Sequence, residues 1–170
     1  KEWKDDCNKR PEVIADELFS KGFTVRQALD FWRSNAADVA AKFNSRCRIS
    51  RSTTTSDVVK SIVIPETEAD QCCYVDIMEG GPHRPTKLLS HWWGARFYDD
   101  LLCIVQDATG KSGQELTALI NAGVGEDDLH DELNASYWMC IFGVNQHIAI
   151  CGTKYNPCNC QSLKYPSGHP

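Results

Sequence analysis

The sequence predicts an α/β domain, a parallel sheet covered on both faces and preceded by a helical N-terminal extension. Three observations lead there. Of 170 residues, 42% are hydrophobic and 24% charged, an ordinary globular balance with enough apolar matter for one core. The first third carries apolar residues at helical spacing. The second half holds two apolar runs, Lys87–Trp93 and Ser136–Val144, that lack strict alternation and are separated by helix-like segments. Continuous apolar strands with helices between them are the mark of a sheet buried on both sides.

Taken in order, Pro11 suits a helix start, and Ile14, Ala15, Leu18 and Phe19 form an apolar stripe that Gly22 closes. Thr24-Val-Arg-Gln27 has the form of a capping box. After it, Val25, Ala28, Leu29, Trp32, Ala36, Val39, Ala40 and Phe43 repeat on one helical face. Arg46 to Asp57 is rich in Ser and Thr and reads as a linker. Val58–Ile64 and Cys73–Met78 are β-branched or aromatic runs, and Pro65–Gln71 between them completes a plausible antiparallel pair. Gly80-Gly-Pro82 and Pro85 interrupt the chain before the first parallel strand. Phe97 to Val105 then predicts a helix with Asp99 and Asp100 in its first turn and Gly110 at its end. Gln114–Asn121 and Glu126–Leu133 are further helical stretches. The expected division is a helical extension and linker over 1–57, an α/β core over 58–150 and a Cys-rich tail over 151–170.

A net charge of −5 argues against a general nucleic-acid binder, which presents a basic face. No apolar run approaches the roughly 20 residues that span a bilayer, which leaves association with a membrane complex through a partner. The chain opens on Lys1 without a signal-like apolar region, and Tyr165–Pro170 caps no element, so the expectation is a trimmed piece of a longer protein. Nine cysteines leave at least one thiol outside any internal disulfide set. Several sit in apolar runs, as Cys103 and Cys140 do, which favours a reducing, intracellular setting, cytoplasmic or organellar. The vicinal Cys72 and Cys73 point to opposite faces of a strand and make no functional pair. His147, Cys151, Cys158 and Cys160 are ligand types that structural zinc accepts, though at no familiar spacing; a disulfide within the group and free thiols are the alternatives.

Two segments carry more information than the rest. Leu89-Ser-His-Trp-Trp-Gly94 ends the first parallel strand, and Trp138-Met-Cys-Ile-Phe-Gly-Val-Asn-Gln146 lies on the next. Together they resemble the HET-type branch of the Toll/interleukin-receptor (TIR) superfamily. In that branch a strand ending in Leu-Ser and Trp-Gly precedes a helix, and a later strand runs from Trp to Asn-Gln. The longer string, with Ser-His-Trp-Trp-Gly and a later Asn-Gln-His, is also similar to proteins of dinoflagellate algae. The resemblance covers roughly residues 87 to 147. It implies a partial flavodoxin-like (TIR-like) sheet and a module that assembles with like domains or partner proteins.

In an open parallel sheet ligands bind at the carboxyl ends of strands. Ser90, His91, Asn145, Gln146 and His147 would fall there, Trp92 and Trp93 could offer a stacking face, and Gly94 would let the backbone turn. Those residues are the candidate ligand crevice, for a nucleotide such as NAD. The plainer reading makes Ser90 a turn cap, His91 a satisfied imidazole, Trp92 and Trp138 core, and Asn145 and Gln146 loop ties. The chain also departs from the family pattern. Cys140 stands where an aspartate is expected and Gly143 where a cysteine is. NAD-cleaving members use a glutamate beyond a third strand, and Glu115, Glu126 and Glu132 all precede the second motif. No catalytic residue carries over. Ser90 and His91, being adjacent, start on opposite strand faces and make a poor dyad. Gly123-Val-Gly125 is a weak phosphate-loop candidate, and Glu126 to Glu132 reads as a solvated acidic face. The expected function is a non-catalytic interaction or scaffold module. The alternatives are an accessory subunit of a large organellar complex, photosynthetic in type, and a nucleotide-binding enzyme or sensor.

Overall fold

The computed structural model describes residues 16–36 and 49–149. Its centre is a small mixed sheet of three strands in the order β1-β3-β2. Strand β1 (Phe23–Thr24) runs antiparallel to the central strand β3 (Ser136–Trp138), with Phe23 opposite Tyr137. Strand β2 (Lys87–Leu88) lies on the other side of β3 and is parallel to it, with Leu88 opposite Trp138. The strands are short, and single bonds outside them extend the pairing. Gly22 and His83 exchange two backbone hydrogen bonds of 2.8 Å, and Leu89 donates to the Trp138 carbonyl at 2.9 Å.

Helix α1 (Val25–Asn35) follows β1 directly, and Thr24 caps it in the box the sequence predicts. Gln27 N–H donates to Thr24 Oγ1 at 3.2 Å, and Gln27 Oε1 accepts from the Thr24 amide at 2.8 Å. Two of the four orphan donors of a helix start are thereby satisfied. The apolar stripe of α1 buries Val25, Ala28, Leu29 and Trp32 completely or nearly so. Helix α2 is assembled from Thr55–Val58, a π-helical turn Val59–Val63 and Ile64–Thr67. Helices α3 (Phe97–Thr109) and α4 (Gly113–Ala122) each end on a left-handed glycine, Gly110 and Gly123. Short helices α5 (His130–Leu133), α6 (Cys140–Gly143) and α7 (Gln146–Ala149) complete the described chain.

Arg33 locks α1 onto α4. Its guanidinium donates to the Leu119 and Ile120 carbonyls at 2.5 and 3.0 Å, a cation at the negative end of a helix dipole. The same group meets Glu126 at 2.5 Å, so Glu126 belongs to an ion pair rather than to the solvated acidic face the sequence suggested. Trp32 adds a hydrogen bond from its indole to Asn121 at 3.2 Å.

Several expected elements take another form. The hairpin expected from Val58–Ile64 and Cys73–Met78 is absent: the first run is the middle of α2, and the second contains a 3₁₀ turn, Tyr74–Asp76. Val58, Val59, Ile62 and Val63 are all buried, a spacing that suits one face of a helix and outweighs their strand preference. The two parallel strands survive only as β2 and β3. Beyond Trp138 the second run turns into α6, and beyond Leu89 the first becomes a loop. The resulting sheet is mixed, because β1, from the segment expected as a helical extension, fills its antiparallel edge. Residues 23–36 share one core with residues 58–142, and the expected boundary after Asp57 falls inside α2. Helix α1 ends at Asn35, whose Nδ2 turns back to the Phe31 carbonyl at 2.9 Å, while Ala36 is extended. Val39, Ala40 and Phe43 lie outside the described residues, as do Pro11, Ile14 and Ala15. Among the described residues no helix is long and apolar enough to cross a membrane.

Gly22 is where the sheet tolerates no side chain. A Cβ there would stand 2.8 Å from the His83 carbonyl oxygen, 2.8 Å from Pro85 Cβ and 2.9 Å from the Tyr137 carbonyl oxygen. Two of those neighbours are backbone and cannot swing aside. Gly22→Ala is expected to lower the unfolding free energy by about 1–3 kcal/mol, read as an earlier urea midpoint with an unchanged slope.

Candidate functional site

The two motif segments meet at Cys140. Strand β3 runs into the extended Met139 (φ −139°, ψ 132°), and Cys140 opens α6 just past the strand end. On the neighbouring parallel strand, the loop after β2 brings His91 to the same place, with Nε2 3.7 Å from Cys140 Sγ. The Trp93 ring stacks on His91 at a centroid distance of 6.4 Å, and its indole N–H reaches the Cys140 sulfur. Burial pushes the Cys140 thiol above its ordinary pKa, and the Trp93 hydrogen bond offsets part of that. Cys140, His91 and Trp93 are all half-buried, so the cluster is reachable from solvent.

Behind His91 lies Asp100, on the first turn of α3. It is 9% exposed and accepts a hydrogen bond from Thr55 Oγ1 at 3.0 Å. Burial raises its pKa, while the Thr55 hydroxyl and the nearby His91 pull it down. Thr55, at the start of α2, also holds the loop: its amide donates to the Ala95 carbonyl at 2.9 Å, and the Ser56 amide donates to Trp93 at 2.9 Å. The turn expected at Gly94 is present. The Trp92 ring covers it so closely that a Cβ on Gly94 would lie 2.6 Å from the indole. Trp92 itself is 74% exposed, which corrects its reading as core. Ser90 is exposed beside it.

Asn145, Gln146 and His147 are turned inward and hold the fold together. Asn145 donates to the Gln71 carbonyl, and its Oδ1 accepts from the His147 amide at 3.0 Å. Gln146 is 1% exposed and donates to the carbonyls of Cys140 at 2.7 Å and Val144 at 3.1 Å, leaving Oε1 buried without a hydrogen bond. His147 is fully buried, with Nε2 2.9 Å from Thr67 Oγ1 and Nδ1 3.4 Å from Gln71 Nε2. Thr67 Oγ1 donates to the Val63 carbonyl at 2.6 Å, so it accepts from an Nε2–H tautomer of His147. Both ring nitrogens are thus engaged inside the protein. Cys151, Cys158 and Cys160 lie outside the described residues. No group of three or more His, Cys, Asp or Glu side chains poised for a metal occurs among the described residues.

Two further features escaped sequence reasoning. A cleft of about 390 Å³ opens between α1 and the 3₁₀ turn, with Asp30, Glu66 and Glu79 on its walls beside Phe31, Tyr74 and Met78. The Tyr74 hydroxyl donates to Glu66 at 2.6 Å, and burial raises the pKa of Asp30. Its walls come from two distant stretches of chain, 27–35 and 66–79, and no spacing announces them. The other is a groove of about 120 Å³ lined only by Leu18, Phe19, Pro85, Leu88 and Trp138. The stripe of Leu18 and Phe19 was legible as apolar, but its exposure was not: Phe19 is 59% exposed and Leu88 70%.

No family model matches this chain, and neither a curated protein nor a solved structure is significantly similar to it.

The inward and outward members of the motif should separate on mutation. His147→Ala strands the Thr67 and Gln71 side chains and opens a cavity, and is expected to cost about 1–3 kcal/mol of stability by thermal melting. His91→Ala, at a half-exposed position, should stay within about 1 kcal/mol. Asp100 supplies a pH signature. Its raised folded-state pKa means that the folded protein binds a proton more tightly than the unfolded chain. Stability therefore falls as pH rises from the ordinary aspartate range through the raised value. Asp100→Asn keeps an acceptor for Thr55 and is expected to flatten that fall, measured as Tm across the acidic range.

Proposed function

We propose that this chain is a protein–protein interaction module of the scaffold type, with a partial flavodoxin-like fold akin to the HET branch of the TIR superfamily. The observation that carries the reading is the exposed apolar groove formed by Leu18, Phe19, Pro85, Leu88 and Trp138. Apolar patches rimmed by polar residues mark surfaces that bind other proteins. This groove sits against β2, an edge strand of the sheet among the described residues, where Lys87 and Leu88 are both exposed. An edge strand is a ready template for an added chain. Arg84, exposed beside Pro85, gives the groove one basic neighbour, while Lys87 on the other side is paired with Asp107 at 2.6 Å. The fitting partner is a protein segment that presents an apolar anchor, with an acidic residue placed to meet Arg84.

The family kinship draws support from the parallel pairing of the two motif-bearing strands and from the convergence of their ends at Cys140. The nucleotide reading draws less, because Asn145, Gln146 and His147 direct their polar atoms into the protein.

The test is native purification of the chain with whatever travels stoichiometrically with it, repeated for Leu88→Glu. The wild type is expected to emerge with a fixed partner set, and the variant to emerge alone with Tm changed by no more than about 2 °C. A wild type that runs as a free monomer, or a variant that keeps its partners, would overturn the proposal.

A further inference from the structure

Cys140 and His91 form a pair that the scaffold role does not use. The thiol stands at the carboxyl end of β3, the imidazole on the loop after the parallel neighbour β2, with 3.7 Å between Sγ and Nε2. That is hydrogen-bonding reach for sulfur, and both groups are half-buried rather than sealed. Each is held by other residues. Trp93 stacks on the imidazole at 6.4 Å and donates its indole N–H to the sulfur. The Asp100 carboxylate, fixed by Thr55 at 3.0 Å, lies close enough to His91 for their charges to interact. A nucleophile with a base within reach of its proton is the arrangement that activates thiols.

We propose that Cys140 is a nucleophile that accepts an acyl group from a thioester, with His91 as its general base. His91 Nε2 takes the Sγ proton as the sulfur adds to the carbonyl carbon. The tetrahedral adduct then collapses, the donor's C–S bond breaks, and the imidazolium returns the proton to the departing thiolate. The products are an acyl thioester on Cys140 and a free donor thiol, with no change of oxidation state. Trp93, stacked on the imidazole, is a positioning residue.

The experiment is incubation of the full chain with S-acetyl-N-acetylcysteamine at neutral pH, followed by peptide mass mapping of each cysteine over time. Cys103, exposed on α3, is the internal control. Cys140 is expected to acylate at least ~10-fold faster than Cys103, well within what a positioned base supplies. His91→Gln should remove that advantage while the Cys103 rate and the Tm hold. Acylation of Cys140 no faster than that of Cys103 in the wild type would overturn the proposal, and so would an undiminished Cys140 rate in a folded His91→Gln.

Discussion

Phe142 lies at the meeting point of four aromatic rings drawn from four separate segments. Its ring centroid is 5.2 Å from Phe23 on β1, 5.0 Å from Phe31 on α1, 5.6 Å from Tyr74 in the 3₁₀ turn and 6.1 Å from Phe97 on α3. Most of these contacts are edge-on, the geometry that aromatic quadrupoles favour. Such a junction decides more than the sheet does, because strands of two or three residues supply few hydrogen bonds. Phe142 can reach this point only if the chain leaves β3 early and coils into α6. That coil also delivers Cys140 to His91, and Gly143 allows it. A Cβ at Gly143 would meet the Lys21 carbonyl oxygen and Trp138 Nε1, each at 2.7 Å. One packing requirement thus shapes both the core and the thiol site.

The sequence was most legible where local chemistry determines local form. Thr24 and Gln27 announce a capping box and make one, Gly110 announces a helix end and adopts the left-handed turn, and Asp99 and Asp100 occupy the first turn of α3. It was least legible where burial outweighed propensity. Val58 to Ile64 reads as a strand by composition, yet Thr54 caps the segment through Asp57, and the core takes Val58, Val59, Ile62 and Val63 from one helical face. Pro65 adds a second disguise. It lacks an amide for the helical ladder, and the π-turn immediately before it, where Ile64 N–H bonds the Val59 carbonyl, is the point at which the ladder changes step.

The candidate site was half legible. The motif residues do converge, but not in the roles that strand-end geometry suggested. Ser90 and Trp92 face solvent, His91 and Trp93 surround a thiol, and Asn145, Gln146 and His147 tie loops from within. A strand-end position says that a residue is near the crevice but not which way its side chain turns. That depends on where β3 stops, which the apolar run Ser136–Val144 conceals. The apolar groove was hidden for a related reason: Leu18, Leu88 and Trp138 become a surface only once three distant segments are side by side.

The order of the strands also bears on how the chain acquires its shape. The central strand comes last, so β1 and β2 wait for Tyr137, which pairs with both Phe23 and Lys87. Bringing Phe23 to Tyr137 closes a loop spanning most of the described chain, and that entropy is lost before β1 pairs with β3. Helices α1, α3 and α4 can form locally while the sheet cannot, which places the slow step late. On a ribosome the amino-terminal strand would emerge with an unsatisfied edge and the exposed Phe19 beside it, and stay so until the segment carrying Phe142 had been synthesised. During that interval the nascent chain is in the state in which a chaperone has most reason to hold it.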